Sequence, residues 1–370
     1  MAGTAEGRCG ETHEMQLGPY VDHVGLWRDE LREWVPQELF DAHVHLGPPD
    51  VMGGIDADRR KAPLTTFTSL EWEALQAVYR DVYSGKRIVG LFAFPFPLLE
   101  VDIERANDYI IEVMKRDPRV RGFFLAHPRD VRMSERCIAK AEREGTPFAG
   151  AKPYFDLAGK DNLRCRMPEF IPTGLLELLD DRGLILMLHT SGRGAGDAEC
   201  QTYLRRTAQR FARIRIILAH MGRYLAAQDF LDFLGSGALE ECPSIFVDMS
   251  SASESVVFEE FLRRRSLWRR LLFASDAPYG LITGVERYSP TRGPVFLARD
   301  HYPWSDPQME REFAAERGRL TYNTYHCIKA LKDAFVRAGI SGETAEELKR
   351  AIFRDNALSG PLAGADEERS

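Results

Sequence analysis

The chain of 370 residues carries 49 Lys and Arg against 56 Asp and Glu, a formal net charge of −7, which argues against a phosphate-tracking role on nucleic acid. With 44% hydrophobic and 28% charged residues the composition excludes global disorder and fits a chain with a large core. No apolar run approaches the roughly 18 residues of a membrane span; the opening MAGTAEGRCGETHEMQ lacks a basic-then-apolar signal plan, and six scattered cysteines without a CxxC pair fit reduced thiols, so a soluble cytoplasmic protein acting on a small molecule is expected.

Residues 1–37 read as an N-terminal extension. From residue 38 a unit recurs: a short run rich in Val, Ile, Leu and Phe, a polar residue at its end, a loop with Gly or Pro, and a stretch of helical periodicity. Eight runs fit, at 38–45, 87–94, 120–127, 147–154, 184–189, 214–220, 244–249 and 271–276. Several are nearly continuous in apolar residues, as parallel strands buried on both faces require. Helices are expected at 103–115 behind the cap-like Asp102, and at 134–143, 173–181, 199–211 and 253–268. Eight repeats, with no GxGxxG after the first run, favour a (β/α)8 TIM barrel over an open doubly wound sheet. Two long departures, 47–85 and 277–307, follow strand C-terminal ends, where they become rim loops that shape substrate access. The barrel with its C-terminal helices is expected to span 38–359, the helices of 312–356 packing outside it, and 360–370 reads as a flexible tail.

The chemistry gathers at the strand ends. His43 and His45 are two apart on a strand, so both point to one side while Val44 points away. Such a pair alone is equally a structural histidine and its neighbour. His189, His220 and Asp276, however, each end another apolar run, and buried groups of this kind need a strong hydrogen bond, a charge partner or a metal. Nitrogen and oxygen donors suit Zn2+ first, with Mn2+ or Fe2+ as alternatives. Asp41 lies on the His43 side of the first run, one layer deeper, where it would orient a ligand. Arg193 and Arg223 follow strand ends, where a guanidinium either grips a substrate carboxylate or makes a loop salt bridge. Lys152 and Tyr154 end the fourth run and complete the expected substrate contacts.

In their order along the chain, DAHVH, AKPYFD, LHTSG, AHMG, FASDAP and FRDNAL resemble the amidohydrolase superfamily over about residues 40–358, in particular its branch of small barrels containing hydrolases and nonoxidative decarboxylases. The resemblance implies one divalent metal ion on His43, His45, His189 and Asp276. It places His220 beside the ion as an acid/base group and makes Asp276 the proton carrier for a metal-activated water. For Lys152 it leaves two readings: a carboxylated lysine bridging two ions, the second served by His189 and His220, or an ordinary cation near the substrate, which is the working expectation. The implied activity is hydrolysis of an amide, lactone or related bond in a small carboxylate-bearing substrate. Nonoxidative decarboxylation is the alternative, a noncatalytic barrel with a structural metal a second one, and a homodimer is expected from the resemblance alone.

Overall fold

The computed structural model describes residues 25–363 apart from 193, 224, 225 and 290–292. Eight parallel strands follow one another in sequence order: β1 (Glu38–His45), β2 (Arg87–Phe94), β3 (Val120–Leu125), β4 (Gly150–Lys152), β5 (Ile185–Leu188), β6 (Arg215–Leu218), β7 (Ile245–Asp248) and β8 (Leu271–Leu272). The last strand returns to the first: Ala42 N donates to Phe273 O at 2.9 Å and His45 N to Ala277 O at 2.8 Å, so the sheet closes as a (β/α)8 TIM barrel.

Helices cross between the strands: α1 (Trp72–Val82), α2 (Ile103–Arg116), α3 (Val131–Arg143), α4 (Thr173–Arg182), α5 (Ala198–Arg210), α6 (Ala227–Gly235) and α7 (Ser255–Leu262). The side chains of Asp102, Asp130 and Asp197 cap α2, α3 and α5 by accepting from backbone N–H groups of the first turn. The Asp130 cap explains why α3 begins three residues ahead of the 134 expected from periodicity. The single helix expected at 253–268 is broken after Leu262. The indole of Trp268 donates to the Leu262 carbonyl at 2.7 Å, taking the acceptor that a continuing helix would use.

Inside the barrel, Phe40 packs on Phe92 with ring centroids 4.9 Å apart, and Phe92 on Phe123 at 5.2 Å. Gly90 makes room for this stack, because a Cβ there would lie 2.5 Å from the Phe40 ring. A larger apolar layer fills the space between strands and helices.

Beyond β8 the rim insertion contains an antiparallel hairpin, β9 (Gly284–Ser289) and β10 (Gly293–Ala298), where the sequence shows only a long loop. It is followed by α8 (Asn323–Arg337) and α9 (Gly342–Arg350). Ahead of β1, Trp27 stacks on Tyr325 of α8 at 5.4 Å, so residues 25–37 are packed structure. Within the stretch expected from 360 as a tail, Leu362 is buried in the same cluster as Phe246, and residues 364–370 lie outside the described residues. No helix among the described residues is long and apolar enough to cross a membrane.

Candidate metal centre

Several strands stop pairing before their last polar residue, and that residue is freed to face the barrel mouth. β8 pairs only through Leu271 and Leu272, after which Ser275 N turns to Asp41 Oδ1 and Asp276 adopts a left-handed φ of 55°. His220, following β6, also sits at φ 55°. Left-handed backbone is uncommon outside glycine and marks strain that the surroundings hold in place.

His43 Nδ1 lies 2.8 Å from Asp248 Oδ2. A carboxylate accepts, so Nδ1–H donates and Nε2 keeps its lone pair. That Nε2 is buried without a hydrogen-bond partner, as is Asp276 Oδ1, and the two are 3.3 Å apart. His45 Nε2 is 3.4 Å from the same oxygen. Burial, and secondarily the charge of Lys152, holds both imidazoles well below the usual histidine pKa, so they are neutral. Burial pushes the Asp276 carboxyl up to about 6, against the pull of His220 and Lys152.

Asp248 organises the rest. Its Oδ1 accepts from His220 N at 3.0 Å and from Ser250 Oγ at 2.5 Å, and Ser250 Oγ stands 2.8 Å from His220 Nδ1. Because Ser250 spends its hydrogen on Asp248, it accepts from His220 Nδ1–H, and His220 Nε2 is left unprotonated. Burial lowers the His220 pKa to about 4. His189 Nδ1–H donates to Thr190 O at 2.9 Å, which leaves Nε2 as its available nitrogen.

His43, His45, His189, His220 and Asp276 line one cavity of about 190 Å³, with Lys152, Tyr154, Tyr279, Phe296 and Trp304 among its other walls. Lys152 is 1% exposed, with Nζ 4.5 Å above the Phe94 ring and, among the described residues, no ion-pair partner. Burial lowers its pKa to about 8, opposed by Asp248 and Asp276.

An amidohydrolase family model matches residues 40–359. The chain belongs to the amidohydrolase family. Among solved structures, an amidohydrolase from Burkholderia multivorans with bound HEPES is similar at a TM-score of 0.54 and 12% identity, over 88% of this chain and 99% of that one. A 4-oxalomesaconate hydratase from Rhodopseudomonas palustris follows at 0.49 and 14%, over 90% and 98%. A 2,6-dihydroxybenzoate decarboxylase complexed with 2,6-dihydroxybenzoate stands at 0.49 and 16%, over 88% and 100%. At these identities the likeness is one of fold. No curated protein matches the chain in sequence.

Amidohydrolases usually bind a divalent metal, and the residues of this amidohydrolase fit one. His43, His45 and Asp276 present ligand atoms within 4.8 Å of one another. Two lone pairs facing each other at 3.3 Å repel unless a proton or cation lies between them. The spacings of 3.3 and 3.4 Å match the roughly 3.4 Å edge of a tetrahedron of donors at about 2.1 Å from a common ion. The second cluster of donors, His43, His220 and Asp248, is knit by its own hydrogen bonds and needs no ion.

His43, His45, His189, His220, Asp276, Lys152 and Tyr154 are thus brought to one cavity, with His189 outside the three-residue donor group and beside His220, ring centroids 5.3 Å apart. Arg223 is not among the cavity walls. Its guanidinium donates to the Gly192 and Asn162 carbonyls, fastening the loops after β4 and β5. Arg193 lies outside the described residues. Asp41 orients backbone and not imidazole: it accepts from His43 N, Ser275 N and Tyr79 OH. The imidazole is held by Asp248, which sequence reasoning missed although it too ends an apolar run.

Proposed function

We propose that this amidohydrolase is a metal-dependent hydrolase that opens an amide, lactone or related C–N or C–O bond in a small substrate bearing a carboxylate. The observation that carries this reading is the pair of facing acceptors, His43 Nε2 and Asp276 Oδ1, both buried and unpartnered. His43 and His45 would hold the ion from β1 and Asp276 from beyond β8, with His189 Nε2 as the further nitrogen in reach of the cavity. A divalent ion, zinc first by its donor set with Mn2+ or Fe2+ as alternatives, supplies Lewis-acid polarisation and a more acidic water when bound.

The chain's own groups do the rest. Asp276 takes the proton of the attacking water on its carboxylate and returns the same proton to the leaving atom. His220 turns an unprotonated Nε2 to the cavity, an acceptor that orients this water. Lys152 brings a buried cation with no ion-pair partner among the described residues, and the substrate carboxylate would neutralise it. Two acceptors and one cation suit the attack of water better than the protonation of a carbon.

The same groups allow a second reading: a proton carried by Asp276 or His220 in the cavity goes to carbon as CO₂ leaves, which is nonoxidative decarboxylation. Turnover of a panel of small lactones, amides and acids in H₂¹⁸O separates the two: hydrolysis puts ¹⁸O into a product carboxylate, decarboxylation releases CO₂ without it. Protein purified without chelator that holds under about 0.2 equivalents of any divalent metal, and gains nothing when metal is added, would remove both readings.

A further inference from the structure

Three apolar residues of the cavity wall, Ile282, Phe296 and Trp304, all come from the chain beyond β8. Phe296 on β10 stands directly across the hairpin from Glu286 on β9, so the two side chains share a face of the ribbon. Glu286 is gripped by Ser253 Oγ at 2.9 Å and Asn323 Nδ2 at 3.2 Å, which ties the hairpin to the loop after β7 and to the start of α8. Trp304 is fixed from three directions. Its ring stacks on Tyr302 at 4.9 Å and 5°, meets Phe296 nearly edge-on at 6.0 Å, and its Nε1 donates to Thr66 Oγ1 at 2.8 Å. Thr66 belongs to the loop after β1, whose Leu64 lines the same cavity and accepts from Tyr279 OH at 2.5 Å. The two rim insertions are therefore joined over the site through Trp304 and Tyr279.

The cavity holds about 190 Å³ and opens to solvent on one side. An enclosed apolar cavity of about 150 Å³ takes one benzene, so a single ring seated against the fixed Trp304 fills most of this one, and a fused second ring meets that wall. We propose that Trp304, backed by Phe296, is the specificity-determining wall of this site, limiting the substrate to a single ring-sized apolar body whose carboxylate lies toward Lys152. This rests on reading the site as that of a metal-dependent enzyme for a carboxylate-bearing substrate.

The test uses the full chain loaded with one equivalent of Co2+, titrated calorimetrically with benzoate and with 2-naphthoate. Wild-type protein is expected to bind benzoate at least about tenfold more tightly. Trp304→Ala should weaken benzoate by about tenfold and tighten 2-naphthoate, inverting the preference. Phe296→Ala should move the preference the same way. Thr66→Val, which removes the indole's acceptor and leaves the ring, should weaken both acids by similar factors without inversion. A preference unchanged in both wall variants overturns the proposal, as does a wild-type protein that binds the two acids equally or binds neither. Cobalt absorption distinguishes the underlying reading: wild-type protein that takes up no Co2+ counts against metal dependence, and the same two titrations on metal-free protein then decide the wall by the same criterion.

Discussion

Asp276 combines a left-handed backbone with a buried carboxylate oxygen that faces two neutral imidazoles. Asn tolerates that backbone and has the same shape, so Asp276→Asn isolates the charge. Turnover should fall by about a thousandfold or more while the melting temperature stays within a few degrees, and a nearly fully active variant would contradict the proton-carrying role. Asp248→Asn tests the support beneath the site. An amide nitrogen cannot accept, so the hydrogen bonds from His43 Nδ1 and from His220 and Ser250 cannot all survive. Metal affinity, measured by competition with a chelator, should drop about 10- to 100-fold, and an unchanged affinity would show that His43 is held otherwise. At this scale the five residues with the clearest sequence signal were histidines and an aspartate ending apolar runs. Asp248 ends one as well, but its role depends on His43, 205 positions away, which spacing does not reveal. For Arg223 the sequence left a carboxylate grip and a loop contact both open, and the left-handed turn through His220, Met221 and Arg223 sends its guanidinium to backbone carbonyls of neighbouring loops.

The hairpin β9–β10 is the element whose chemistry carries furthest beyond its position. The 277–307 segment was legible as a rim insertion, but Gly284, Gly293 and Pro294 interrupt the strand pattern, so the ribbon inside it was not. Burial raises the Glu286 carboxyl from 4.5 to about 7, against the hydrogen bonds of Ser253 and Asn323. The folded chain then binds this proton more readily than the unfolded chain between pH 4.5 and about 7. Stability contributed by the group is therefore present below pH 4.5, falls as pH rises across that window, and is level above it. Glu286→Gln should flatten this dependence. Urea midpoints at about pH 5 and about pH 8 should show the variant losing less than wild type, by on the order of 1–3 kcal/mol. Parallel pH profiles for the two proteins would place the Glu286 proton elsewhere.

For the whole molecule, the order of eight runs was enough to read the barrel, because parallel strands buried on both faces leave near-continuous apolar stretches and β1, β2 and β3 begin where those stretches begin. What was not legible is how the circle is sealed. β8 pairs with β7 through two residues only, and the seam depends on one side chain and one carbonyl from the far end of the chain. Asn356 Nδ2 donates to both Trp268 O and Leu271 O at 2.8 Å, while Phe273 N donates to Ile352 O at 2.9 Å. The C-terminal helices thus hold the short strand from which Ser275 and Asp276 leave for the site, and Ser275 N in turn binds Asp41 beneath His43. Asn356→Ala strands two carbonyls at this seam and should lower the unfolding free energy by about 2–4 kcal/mol in urea titration. If the seam also sets the spacing of Asp276 from β1, the same variant loses metal affinity under conditions where it remains folded. A variant destabilised by that amount with wild-type metal affinity would show that Asp41 and the β1–β8 hydrogen bonds alone keep the donors in place.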